Sequence, residues 1–508
     1  MFRVSASRLH SLKGRESCKH LARYASSTAV SFQTSSSELF SSILGGKSGS
    51  LPPLNLPLEG VILPPPLPDY VEPAKTKITT LSNGLKIASE ASHNPVASIG
   101  LYIHCGSVYE SPQSFGATHL LQLMAFKTTL NRTQLRLIRE VEAIGGSIAS
   151  SVSPEQMSYT FAALKTYLPE MVELLVDSVR NPAFLDWEVN ETLQELKGQL
   201  IELPKYPSIL LLEAVHTAGY VGALSNSLVA QEAIVDSLNS SVLEEFVMEN
   251  YTAPHMVLVA SGVEHEELLS IAEPLLSDLS SVPPLKEPRS AYLGGDYRCQ
   301  AGSGVTHFAL AFELPGGWQE KEKDSMVLSV LQMLMGGGDR SFSARDHLGK
   351  GMCSRLYLNV LNQYPEVHHM SAYSRIYTNT GLFVVQATAN PQFVSKAIEI
   401  AASELKAVAS PGYVDPVQVD RAKAAKKSAI LMNLESRMTA ADEIGRQILT
   451  YGESKPVDHF LNIIDEITMK DITSVAEKLL SSPLTMASLG NVCYVPSYDT
   501  VSRLFQSK

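Results

Sequence analysis

From residue 76 onward the apolar and polar positions change period repeatedly, from two to nearly four and back. Residues 76–88 read as a hairpin, because two short alternating runs flank Asn83-Gly84, a dipeptide that tolerates the positive φ of a tight turn. A continuous apolar run over 96–104 predicts a strand buried on both faces. Apolar positions three and four apart then predict helices over 116–127 and 132–144, the second stopped by Gly145-Gly146. A strand pair follows over 147–164, then helices over 167–180 and 186–202. A third helix begins near Ser208 and closes at Gly219-Tyr220.

The second half gives the same order. A strand over 305–313 matches 96–104, and a helix over 324–335 matches 116–127. A helix over 354–362 matches 132–144. Strands over 366–389 precede helices over 392–409 and 415–434, and a last helix over 437–450 closes at Tyr451-Gly452. Strands that pair by hairpins and helices that come in runs argue for α+β units rather than one α/β sheet. The expected fold class is therefore α+β, with two homologous domains from an internal duplication. The boundaries are 76–280 and 293–508, joined by a linker over 281–292 where Pro283, Pro284, Lys286 and Pro288 gather.

Residues 1–75 follow different rules. Arg3, Arg8, Lys13, Arg15, Lys19 and Arg23 stand against the single acid Glu16 in 1–24, among serines and scattered leucines. That is the pattern of a mitochondrial transit peptide, with cleavage expected near Arg23, Tyr24 and Ala25. Residues 25–50 are serine-rich, and 51–75 are dense in proline, which cannot sustain helix or inner strand; the expectation is a disordered stretch followed by an extended one. The whole chain carries a formal charge of −11, and losing the basic leader makes the remainder more acidic. Such a surface disfavours nucleic acid and attracts basic polypeptides. Five scattered cysteines without a C-x-x-C argue against a disulfide scaffold or a thiolate zinc site. No apolar run reaches the length of a membrane span.

The chemistry concentrates in Gly116–Lys127. A zinc peptidase of the inverted type needs H-x-x-E-H on a helix: two histidines one turn apart hold the metal, and the glutamate takes a proton from the attacking water. Here His119 stands at the first ligand position, Gln122 replaces the base and Leu123 replaces the second ligand. An amide takes no proton near neutral pH, and leucine offers a metal no donor atom. His119 alone is more often a hydrogen-bonded helix histidine than a ligand. His368-His369 diverge on a strand, and Glu264-His265-Glu266-Glu267 reads as a solvated helix start.

These strings together resemble the pitrilysin-type metallopeptidase family over nearly all of 76–508. They include Gly116-Ala-Thr-His119, Arg180-Asn-Pro-Ala-Phe-Leu-Asp186, Leu211-Leu-Glu-Ala-Val-His216, Gly336-Gly-Gly338, Gly349-Lys-Gly351 and Thr450-Tyr-Gly452. The resemblance implies the pitrilysin-like fold. It places the third metal ligand at Gln199, with Glu195 and Glu202 one turn to either side. It also implies a chain without catalytic residues or metal of its own, with His119, Gln122, Leu123 and Gln199 as degenerate positions. Zinc is expected in a catalytic partner subunit, and basic amphipathic presequence peptides are the expected substrates. Some relatives are also core subunits of respiratory complex III, so complex III subunits are expected partners at the inner membrane, on the matrix side.

The resemblance further implies a glycine-rich substrate-binding loop at Gly336, Gly337, Gly338, Ser341, Phe342, Ser343, Gly349, Lys350 and Gly351. Glycine suits a lid that fits many peptides, and its backbone can pair with an extended chain. This copy departs from the family pattern at Asp339, Arg340, Arg345, Asp346 and His347, where glycine or proline is expected. Gly349-Lys350 lacks the frame of a phosphate-binding loop. Candidate acids for a basic peptide are Glu191, Glu195, Glu202 and Glu213. Three functions compete: a non-catalytic recognition subunit, a purely structural core subunit or diverged paralogue, and an autonomous metallopeptidase. The missing base and ligands speak against the last.

Overall fold

The computed structural model describes residues 75–282, 289–339 and 352–506. The expected transit peptide, the serine- and proline-rich stretches up to residue 74, Pro283, Pro284, Lys286 and Pro288 of the linker, and Ser341, Phe342, Ser343, Gly349, Lys350 and Gly351 lie outside them.

Two six-stranded sheets carry the described chain. The first contains β1 (Lys77–Thr80), β2 (Lys86–Glu90), β3 (Val96–Ile103), β4 (Ser147–Val152), β5 (Met157–Leu164) and β7 (Met256–Ser261), in the order β1-β2-β7-β3-β5-β4. The second contains β9 (Gly295–Gln300), β10 (Thr306–Pro315), β11 (Gly337–Asp339), β12 (Val367–Ile376), β13 (Thr380–Ala389) and β14 (Thr485–Gly490), in the order β11-β12-β13-β10-β14-β9. Two short strands, β6 (Tyr220–Gly222) and β8 (Ser290–Tyr292), pair separately.

The duplication is visible in the pairing itself. β2 runs parallel to β7, and β7, β3, β5 and β4 follow antiparallel. β9 runs parallel to β14, and β14, β10, β13 and β12 follow antiparallel. Five strands thus repeat in order and sense, and β1 and β11 are additions at opposite edges.

β3 is buried along nearly its whole length and reads as an unbroken apolar run, because both faces of the first sheet are covered. One face meets the helix Leu168–Arg180, whose Leu168, Met171, Val172, Leu175, Val176 and Val179 form an inward stripe. The other face is covered from the far half of the chain. Ala441, Ile444 and Ile448 of the helix Arg437–Tyr451 pack on Ala88, Tyr102, Val257 and Val259. The exchange is mutual: Leu211, Ala214 and Val215 of the helix Pro207–Gly219 pack on Ala309, Ala311, Leu382, Val384, Ala487 and Leu489 of the second sheet.

The first exchanged contact is tight. A Cβ on Gly445 would come within 2.5 Å of the Tyr102 ring, and one on Gly100 would also come within 2.5 Å of it. Tyr102 therefore lies in a slot between two glycines, and its hydroxyl donates to Asp442 Oδ1 at 2.7 Å.

Two helix expectations need correction. The helix expected over 116–127 stops at Met124, because Phe126 turns the chain at φ 60°. In the segment expected as a helix over 354–362, residues Tyr357–Leu361 form a π-helical turn, since Asn362 N–H reaches back five residues to the Tyr357 carbonyl.

Candidate functional site: a metal helix without its ligands

The helix Ala117–Met124 is held from outside. Gly116 enters it at φ 84°, and no side chain of its own caps it. Glu110 supplies the missing acceptor from the preceding connection. Its carboxylate accepts from Gly116 N–H at 2.9 Å, Thr118 N–H at 2.8 Å and Thr118 Oγ1 at 2.6 Å. A buried acceptor on the first amides of a helix satisfies donors that have no partner within the helix. Burial pushes the Glu110 carboxyl up to about 7, while those three hydrogen bonds pull it down.

His119 is half-buried, and its Nδ1 accepts from Ala230 N–H at 3.2 Å. In the neutral ring this puts the proton on Nε2. Burial holds the imidazole below its ordinary range. Gln122 turns to the edge strand, where its Nε2 lies 3.5 Å from the Ser150 carbonyl and Ser150 Oγ donates back to the Gln122 carbonyl at 3.1 Å. Leu123 packs against the first core. Gln199, exposed on the helix Asp186–Glu202, donates to Glu195 Oε1 at 3.4 Å. Glu202 is paired with Lys205. The four positions expected to be degenerate therefore provide one imidazole, two amides and an alkyl chain, which neither cage a divalent cation nor activate water. Among the described residues no group of three or more His, Cys, Asp or Glu side chains could hold a metal ion.

A strap over residues 226–230 lies beside His119. Asn226 Nδ2 donates to the carbonyls of Ser107 and Glu110, while Ser227 Oγ and Leu228 N–H donate to Glu213 Oε2 at 2.6 and 3.0 Å. Of the four acids suggested for a basic peptide, Glu213 is thus engaged in holding the strap, and Glu191, Glu195 and Glu202 are exposed. A cavity of about 310 Å³ opens next to the strap, between the halves, lined among others by Glu155, Glu213, Trp318, Arg375, Tyr377 and Arg446. Glu155 crosses the boundary to accept from Thr378 N–H and Oγ1, and His216 meets the Tyr377 hydroxyl at 2.6 Å.

The first glycines of the expected loop are structural. Gly337 and Gly338 pair with Ser371 and Met370 as part of β11, and a Cβ on Gly337 would meet the Met370 carbonyl at 2.1 Å. Their inner edge is engaged by β12 rather than free for a peptide. The other histidine expectations also shift. His265 is buried rather than solvated, and its ring meets Thr79 Oγ1 and Ser89 Oγ at 2.8 and 2.9 Å. His368 and His369 do diverge, one to Asn390 and the other half-buried beside Asp339. Sequence reasoning missed Glu110, Glu155 and the strap. Glu110 alone had a local signal, as the single acid between β3 and the metal helix.

Residues 86–232 match the family description "Insulinase (Peptidase family M16)", and residues 237–426 match "Peptidase M16 inactive domain". The mitochondrial-processing peptidase subunit alpha of Solanum tuberosum is 63% identical over 100% of both chains. A probable mitochondrial-processing peptidase subunit alpha-1 of Arabidopsis thaliana is 59% identical, again over 100% of both. The human cytochrome b-c1 complex subunit 2, a mitochondrial protein, is 30% identical over 84% of this chain and 92% of its own length. With its repeated five-strand core and these full-length relatives, this chain belongs to peptidase family M16.

Proposed function

We propose that this chain is the non-catalytic, substrate-recognition subunit of a heterodimeric mitochondrial processing peptidase, which removes presequences from imported precursor proteins. The observation that carries the reading is the state of the metal helix. Its scaffold is intact and clamped by Glu110, yet Gln122, Leu123 and Gln199 stand where proton transfer and metal binding need other groups. Full-length similarity to subunits named alpha supports the same role. The catalytic zinc then belongs to a beta partner, and the substrates are basic, amphipathic presequences drawn to an acidic chain. The basic leader over 1–24 supports delivery to mitochondria with cleavage near Arg23, Tyr24 and Ala25, and the mature protein would work in the matrix or on the matrix side of the inner membrane. The remainder divides into homologous domains at 76–280 and 293–508, and the substrate-binding loop expected over 336–351 begins with Gly337 and Gly338 held in β11.

Similarity to a cytochrome b-c1 complex subunit favours a second role as a core subunit of complex III. Reconstitution tests the reading. The purified chain with added zinc leaves a model presequence uncut, and mixing it with a catalytic beta subunit restores cleavage that a chelator abolishes. Turnover by this chain alone would overturn the proposal. Cleavage by the beta subunit that is indifferent to this chain would leave only the structural role.

A further inference from the structure

Two histidines meet at the base of the connection that carries Glu110. His104 follows β3, His255 precedes β7, and His104 N–H donates to the His255 carbonyl at 2.8 Å. Their ring centroids lie 6.0 Å apart, and the Tyr109 ring sits 5.7 and 6.2 Å from them. The Tyr109 hydroxyl reaches His104 Nδ1 at 3.4 Å. His255 is 4% exposed, and its ring nitrogens meet no side-chain partner, only the Asn250 backbone nearby. Asn250 Oδ1 and Thr252 Oγ1, in the segment leading to it, are also buried without partners. Among the described residues neither ring is paired with a carboxylate, so a proton on either would be a buried charge without a counterion.

The neighbourhood supplies little compensation. Cys105 and Glu110 lie on the same connection, Tyr159 and Tyr251 adjoin Cys105, and Glu213 adds its like charge to Glu110 from the helix Pro207–Gly219. We propose that the His104–His255 pair is an acid-released latch. It fixes residues 104–116 while both rings are neutral, and frees that connection and the Ala117–Met124 helix when either ring takes a proton.

Burial and the neighbouring His255 hold His104 down to about 4, and burial lowers His255 as well, with the Asn250 backbone offsetting part of it. An unfolded histidine titrates near 6.5. The pair's contribution is therefore complete above about pH 6.5 and is lost as pH falls through that value toward 4. Glu110, held up to about 7, works in the opposite sense, because the folded state takes its proton first as pH falls toward 4.5.

Hydrogen exchange of the full chain, corrected for the intrinsic pH effect, tests the latch. Glu110 opposes the histidines over this range and is common to wild type and variants, so the readout is the ratio of wild-type to variant exchange across 104–118. Against His255→Phe, which keeps the aromatic packing, and against His104→Asn, which keeps an acceptor for Tyr109, that ratio should rise about tenfold between about pH 7.5 and 5.5, while exchange at 306–315 in the second sheet stays the same in all three. A ratio that does not change with pH would overturn the proposal.

Discussion

At the scale of single residues, Glu110 does what the metal helix cannot do for itself. Glu110→Ala leaves the amides of Gly116 and Thr118 without an acceptor and should cost about 2 kcal/mol in urea unfolding near pH 5.5, and less at pH 8, where burial already disfavours the ionised carboxylate. Smaller effects are expected at His119, where His119→Ala deletes one acceptor for Ala230 N–H and should cost about 1 kcal/mol. Chelator should leave the unfolding midpoint of the isolated chain unchanged, and a midpoint that drops on chelation would reveal a metal the side chains do not account for. His119, Gln122 and Leu123 could be singled out in the sequence because they share one short helix, whereas Gln199, on the helix Asp186–Glu202, was placed only by the resemblance. Glu155 and the strap were not legible there, because their partners Thr378, Glu213 and His119 are brought together only by tertiary folding.

Among whole elements, periodicity found most of what packs and missed what is short or exchanged. β3 and the helix Leu168–Arg180 announce themselves by long apolar patterns, whereas three-residue strands such as β11 carry too few positions to establish a period. The helix Arg437–Tyr451 was recognisable as a helix, with Ser436 capping its start and Gly452 closing it at φ 82°, but nothing local says that its apolar face belongs to the other half. Its fit there is testable. Gly445→Leu drives a side chain into the Tyr102 ring and should destabilise the protein by about 3 kcal/mol. Tyr102→Phe, which removes only the hydrogen bond to Asp442, should cost about 1–2 kcal/mol. Equal losses in the two variants would mean that the glycine slot has room for a side chain.

For the molecule as a whole, each sheet borrows the cover of one face from the other half, so the two halves share one stability. Calorimetry should record a single transition rather than two, and the Gly445 variant should lower that one midpoint instead of splitting it. The borrowing also sets an order in time. Tyr102 waits for Asp442, 340 residues further along the chain, before its face of the first sheet is sealed. A chain emerging from the ribosome therefore holds Val257, Val259 and Ala88 bare until nearly all of it has been made, and during that interval it is a natural client for holding chaperones.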